Sequence, residues 1–130
     1  MIGFHRILLE SHEPEVLSNF LSQVFDVEAD YLEDGIEITI DHTKFFIMTS
    51  DKKRLNKNLS FEFYAVSKLE LEEFKQKLEF YFYTHQSAPK NIKMTENGLQ
   101  FEDTDGRSWR VALQNQPMLR ETDRNNVRFC

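Results

Sequence analysis

The chain contains a single cysteine, Cys130, among its 130 residues, and this scarcity excludes several kinds of chemistry. One cysteine cannot form a disulfide within the chain, and a zinc site built from thiolates needs more than one of them. We therefore expect no internal disulfide, no cysteine-based zinc site and no thiol catalysis, and we expect a reducing compartment.

Long apolar segments and a basic surface are also missing. No stretch reaches the roughly 20 apolar residues that span a bilayer, and residues 1–10 lack the features of a signal peptide. The formal net charge of -6 argues against nucleic acids and anionic membranes as partners, because both attract basic proteins. The sequence therefore predicts a cytoplasmic protein with neither of these partners.

Glycine and proline are sparse, with four and three residues, and no run of them divides the chain. We predict one domain, residues 1–114, followed by a polar tail at 115–130. Phenylalanine is abundant, with twelve residues, and many aromatic side chains in a small domain either fill a core or line a ligand cavity.

The hydrophobic pattern predicts one strand, a helix and three strands, and this order then repeats. The predicted strands of the first module, residues 1–50, are 3–10, 28–32, 36–41 and 44–49. Those of the second module, residues 58–114, are 59–66, 92–95, 99–103 and 108–113. A helix follows the first strand of each module, with Ser11 and Ser67 as the predicted N-caps. We predict an α+β fold in which two β-α-β-β-β modules pair around a central cavity.

With this repeated order, the chain resembles the vicinal oxygen chelate superfamily, which includes glyoxalase I, extradiol dioxygenases and bleomycin-resistance proteins. The resemblance covers residues 1–114. It rests on His5 in the opening strand, on the doubled β-α-β-β-β order, and on the segment FEDTDGRSWRVAL at 101–113. It implies a glyoxalase-like fold and a site between the two modules.

The metal enzymes of that superfamily take ligands from the first and last strands of each module. The resemblance places these ligand positions at His5, Ile47, Phe61 and Arg110. A catalytic metal typically needs three protein ligands, and of these four residues histidine alone is a usual one. We therefore predict no metal, no cofactor and no catalytic residues, and the chain is more consistent with a binding protein than with an enzyme.

The same alignment predicts an apolar, aromatic ligand pocket with two polar groups. The predicted pocket residues are His5, Ile7, Phe45, Ile47, Phe61, Phe63 and Arg110. An inward-facing Arg110 would need an anionic partner, because an unpaired buried charge is costly. That partner is either an anionic ligand or an acidic side chain such as Glu62 or Glu37, unless the long side chain extends its charged end to solvent.

Three functions remain open from the sequence. The first is a metal-free module of the bleomycin-resistance type that binds a small organic ligand; a homodimer is expected for this function and for the two that follow. The second is a divergent metal-dependent lyase or dioxygenase. The third is a protein-interaction module with a filled core, for which the aromatic run Tyr81–Tyr83 would supply an exposed contact.

Overall fold

The computed structural model describes residues 1–52, 55, 59–85 and 92–114, so the predicted tail at 115–130 lies outside the described residues. The elements of the first module are β1 (Ile7–Ser11), α1 (Pro14–Phe25), β2 (Ala29–Tyr31), β3 (Ile36–Ile40) and β4 (Thr43–Thr49). Those of the second are β5 (Ser60–Ala65), α2 (Lys68–Thr84), β6 (Lys93–Met94), β7 (Gly98–Glu102) and β8 (Ser108–Leu113). The predicted α+β class and the repeated β-α-β-β-β order are confirmed.

Each module forms its own four-stranded mixed sheet, and the two sheets have the same topology. The first sheet has the order β1-β4-β3-β2 and the second the order β5-β8-β7-β6. In each, the first and last strands of the module pair in parallel, and the other pairs are antiparallel. In the described part of the chain, neither helix is long and apolar enough to cross a membrane.

The two helices begin in different ways. Ser67 is the N-cap of α2, as predicted, because its Oγ accepts a hydrogen bond from the backbone N–H of Glu70 at 3.1 Å. The prediction for Ser11 was wrong, since Glu13 occupies the N-cap position of α1 and caps it with no side-chain hydrogen bond. Ser11 instead ends β1, and its Oγ accepts from the N–H of Glu13 at 3.1 Å. Strand pairing with β4 holds Ser11 in β1, so the helix starts later, at Pro14.

One face of each sheet is covered by a helix, and the two covered faces share a single core. The alternating residues Ile36, Ile38 and Ile40 of β3 are all buried, as strand periodicity requires. The modules meet through aromatic rings. The ring centroids of Phe20 and Tyr81 are 4.9 Å apart, and those of Phe45 and Phe61 are 5.3 Å apart. Within the described residues, this contact between α1 and α2, and between the two sheets, leaves the opposite face of each sheet without a helix.

A buried arginine also joins the modules, at the turn between β7 and β8. Arg107 is 2% exposed, and its Nη1 lies 3.3 Å from Oδ2 of Asp103 and 3.5 Å from Oδ2 of Asp105. Trp109 Nε1 donates to the same Asp103 oxygen at 2.9 Å. Arg107 Nη2 donates to the backbone carbonyl of Glu10 in β1, so one side chain connects the second sheet to the first.

Candidate functional site on the open sheet faces

Most of the predicted pocket residues lie in the shared core. Strand register places Ile7, Phe45 and Ile47 on the helix-covered face of the first sheet. Phe61 and Phe63 lie on the covered face of the second, where Phe61 contacts Phe45 and its ring centroid is 4.7 Å from that of Trp109. The structure therefore brings these five residues together, but as neighbouring side chains that pack on one another and on Trp109.

Arg110 does not lie on the helix-covered face. This corrects the prediction that it lines one pocket with Phe61 and Phe63. The β5–β8 register pairs Phe61 with Trp109, Glu62 with Arg110, and Phe63 with Val111. Because side chains alternate along a strand, Arg110 points away from Phe61 and Phe63. The sequence of β8 indicates this orientation, because the apolar residues Trp109 and Val111 flank Arg110, and both are buried.

His5 lies just before β1 and is exposed. Among the described residues, no hydrogen bond or ion pair engages its imidazole. It does not belong to the buried cluster against which the five core residues pack. The predicted pocket thus separates into a core group, an exposed histidine and an arginine on the far side of the second sheet.

Arg110 instead belongs to the open face of the second sheet, which we define by Glu62, Tyr64, Gln100, Ser108 and Arg110. Its Nε lies 3.0 Å from Oε2 of Glu62, and the two side chains are 51% and 58% exposed. Gln100 is the cross-strand neighbour of Arg110, and its Nε2 donates to Oγ of Ser108 at 3.1 Å. The acidic partner of Arg110 is therefore Glu62, one of the two carboxylates predicted for it.

A second arginine, which the sequence reasoning did not single out, lies on the open face of the first sheet. The Arg6 guanidinium carbon is 3.9 Å from the centroid of the Phe46 ring, and its Nη1 is 3.9 Å from Oε2 of Glu37. Register aligns Phe46 with Leu8 and Glu37, so these side chains share the face. Arg6 is a cation–π partner that shields Phe46, which is 2% exposed despite its place opposite the helix.

The close packing around Phe46 also explains Gly35. A Cβ added at Gly35 would lie 2.4 Å from Cζ of Phe46 and 2.6 Å from the carbonyl oxygen of Ile47. A methyl group has no room there, so glycine is needed where the β2–β3 turn passes the ring. The signal in the sequence was the Asp34-Gly35 pair, which predicts a tight turn.

The donor set on the open faces does not fit a metal centre. Divalent metals prefer carboxylate and imidazole ligands, and three protein ligands are typical of a catalytic site. The carboxylates of Glu37 and Glu62 are each paired with an arginine. Throughout residues 1–52, 55, 59–85 and 92–114, no cluster of three or more His, Cys, Asp and Glu side chains suits a metal ion.

The open faces have chemistry that suits anions. A guanidinium presents several N–H donors in a planar fork that matches carboxylate, phosphate and phosphonate groups. Arg110 is half exposed and lies beside a hydroxyl and an amide, so an anion that displaces Glu62 would find further hydrogen-bond partners.

This arrangement of two β-α-β-β-β modules is the glyoxalase-like fold, which confirms the predicted fold. No model of a protein family matches the chain, and no curated protein matches its sequence. The likeness therefore comes from comparison of structures.

Three solved structures illustrate that likeness. The fosfomycin resistance protein FosX from Listeria monocytogenes is 17% identical, with a TM-score of 0.68, and the match covers 93% of this chain and 95% of that one. FosX from Mesorhizobium loti is 15% identical, with a TM-score of 0.67 and coverage of 89% and 96%. Lactoylglutathione lyase from Agrobacterium tumefaciens is 17% identical, with a TM-score of 0.59 and coverage of 86% and 93%.

Proposed function

We propose that this chain is a metal-free binding module for a small organic anion, and that the anion binds to the open sheet faces through Arg110. The observation that carries the proposal is the environment of Arg110, a half-exposed cation held by one exposed carboxylate and bordered by Ser108 and Gln100. An exposed ion pair contributes only about 0–1 kcal/mol, so Glu62 is a partner that an anionic ligand can replace at small cost.

The structural neighbours support the chemical class of the ligand. A variant of FosX from Listeria monocytogenes, 18% identical with a TM-score of 0.67, was solved with Mn(II) and 1S,2S-dihydroxypropylphosphonic acid. That ligand combines an anionic phosphonate with a short carbon chain. We infer a phosphonate or carboxylate of similar size for this chain, recognised by arginine in place of a metal ion.

We also propose that the binding unit is a homodimer. Each open face exposes large apolar side chains, with Leu8 at 53% on the first sheet and Tyr64 at 56% on the second. On α2, Tyr83 is exposed as the aromatic run predicted, while Tyr81 and Phe82 are buried. Exposed apolar groups of this kind are common at subunit contacts.

The single cysteine fits a cytoplasmic location for this dimer.

The experiment is a calorimetric titration of the full chain with propylphosphonate and with 1S,2S-dihydroxypropylphosphonate. We expect binding, and we expect Arg110→Gln to abolish or weaken it by about tenfold or more, in line with the loss of a charge-assisted hydrogen bond. Glu62→Gln has the opposite sign, because it frees the guanidinium, and should strengthen binding several-fold.

Lys75→Gln is the matched control, since Lys75 forms an exposed pair with Glu79 on α2 and lies on no open sheet face. It should leave the affinity unchanged. Equal affinity for the wild-type chain and Arg110→Gln would contradict the proposal, and so would binding that requires an added divalent metal.

A further inference from the structure

A cleft of about 480 Å³ opens on the helix-covered side of the fold, away from Arg110. It lies between the end of α1, the β3–β4 turn, β5 and the first half of α2, so both modules contribute to it. Its volume falls within the roughly 300–1,000 Å³ that small-molecule sites occupy in proteins. None of the open-face arginines lines it.

One wall of the cleft is a continuous group of aromatic rings. The centroid of Phe25 lies 5.3 Å from that of Phe63 and 5.1 Å from that of Phe74, and all three side chains line the cleft and are partly exposed. Aromatic faces carry partial negative charge, so this wall attracts a cation as well as apolar groups.

The rim of the cleft is acidic. Glu70 is already engaged, because its Oε1 accepts the backbone N–H of Val66 at 2.8 Å, and Lys77 pairs with Asp26 at 3.9 Å. Asp41 and Glu73 also line the cleft, and within the described ranges no hydrogen bond or ion pair engages either carboxylate. Two uncompensated carboxylates therefore border an aromatic wall.

We propose that this cleft binds an amphiphilic organic cation, in which an aromatic or alkyl body carries a protonated amine. The apolar body would pack against the three phenylalanine rings, and the ammonium group would lie between the ring faces and the carboxylates of Asp41 and Glu73. This site differs from the proposed anion site in position, in charge preference and in the charged residues that form it, and it stands whether or not the anion proposal holds.

The test is an NMR titration of the full, isotope-labelled chain with 2-phenylethylamine, and separately with 3-phenylpropionate, an anion of nearly the same size. We expect the amine to shift the backbone amide signals of Ala65, Glu73 and Phe74 in a saturable way, and the anion to leave these signals in place. The matched pair of probes separates recognition of charge from recognition of an aromatic ring.

Variants of the rim assign the charge preference to particular residues. Asp41→Asn is compatible with the left-handed backbone at this position, where φ is 48°, and Glu73→Gln keeps the helix and the side-chain size. Each should weaken amine binding about two- to fivefold, the range expected for one exposed charge contact, and the double variant about tenfold. Glu72 directly precedes Glu73 in α2 and does not line the cleft, so Glu72→Gln should leave the affinity for the amine unchanged.

Three results of the titrations would overturn the proposal. They are equal shifts with the anion, amine affinity that the double variant does not change, and amine shifts confined to the open-face residues. Cross-relaxation between residues 115–130 and the Phe63 or Phe74 ring in the unliganded chain would also overturn it, by showing that the protein's own last residues fill the cleft.

Discussion

Arg107 and Arg110 stand three positions apart on one hairpin, and the fold places them in opposite environments. Arg107 is 2% exposed and contacts two carboxylates and a backbone carbonyl of the other module. The Arg110 side chain is 51% exposed and contacts one carboxylate that is itself exposed. The first guanidinium has all of its charge compensated inside the protein, whereas the second has a partner that water or a ligand can replace.

The difference shows how burial decides what a charged side chain can do. Breaking a buried ion pair is strongly destabilising, because it leaves an uncompensated charge inside the protein. Arg107 therefore fixes the β7–β8 turn against β1. An exposed pair adds little stability and exchanges readily, which leaves Arg110 available for recognition.

The largest effect is expected for Arg107→Ala. This change leaves Asp103 and Asp105 buried without a cation and removes the contact to Glu10, so the free energy of unfolding should fall by about 3–5 kcal/mol. Urea denaturation followed by circular dichroism measures it. Arg110→Ala is the matched control and should cost less than about 1 kcal/mol. Similar losses for the two variants would contradict the contrast.

A smaller loss is expected for Trp109→Phe, which keeps an aromatic ring in the core and removes one donor. Without the indole N–H, Asp103 Oδ2 retains only its contact with Arg107. A hydrogen bond to a charged group contributes about 1.5–3 kcal/mol, and the smaller ring adds a modest packing loss. The urea concentration at the denaturation midpoint should fall in proportion to this loss of free energy. An unchanged midpoint would show that the indole donor does not stabilise the turn.

A similar contrast between a buried and an exposed side chain occurs on α2, where Tyr81 is 4% and Tyr83 81% exposed. Burial raises the pKa of the Tyr81 phenol, because desolvation disfavours the phenolate. Above about pH 10 the unfolded chain therefore loses a proton that the folded chain retains, and stability falls as the pH rises.

Tyr81→Phe should make the decline in stability above pH 10 less steep, and Tyr83→Phe should leave the profile as in the wild-type chain. Thermal unfolding between pH 8 and about pH 11 provides the measurement. Parallel profiles for the wild-type and Tyr81→Phe chains would argue that the phenol of Tyr81 does not affect stability in this range.

Much of the fold was predictable from local patterns. Ile36, Ile38 and Ile40 alternate with polar residues, and Ser67 precedes an amphipathic helix, so strand and helix positions followed from periodicity and capping. Asn97-Gly98 predicted a turn, and Gly98 opens β7. Because these signals lie within a few residues of each other, they do not depend on the rest of the chain.

The faces of the strands were harder to predict. Phe45, Phe46 and Ile47 are consecutive and all buried, so burial alone does not show which of them faces the helix. Similarity to other proteins placed Ile47 and Phe61 at ligand positions, but strand register places both in the core. A shift of one residue exchanges the two faces of a strand, and only pairing between distant strands sets the register.

The contact of Arg107 with the first module was also beyond local reasoning. The sequence marks Thr104–Arg107 as a turn between two strands, and the Asp-Gly pair within it supports that prediction. Nothing near Arg107 in the sequence indicates that it contacts Glu10, which lies 97 positions away. That contact depends on how the two modules pack, which is a property of the whole core.

Native mass spectrometry of the untagged chain, purified without a chelator, tests the central claim most directly. We predict a metal-free dimer that gains the mass of added propylphosphonate, and an Arg110→Gln dimer that does not. A stoichiometric divalent metal retained by the wild-type chain would contradict the account and favour the metal-dependent enzyme instead.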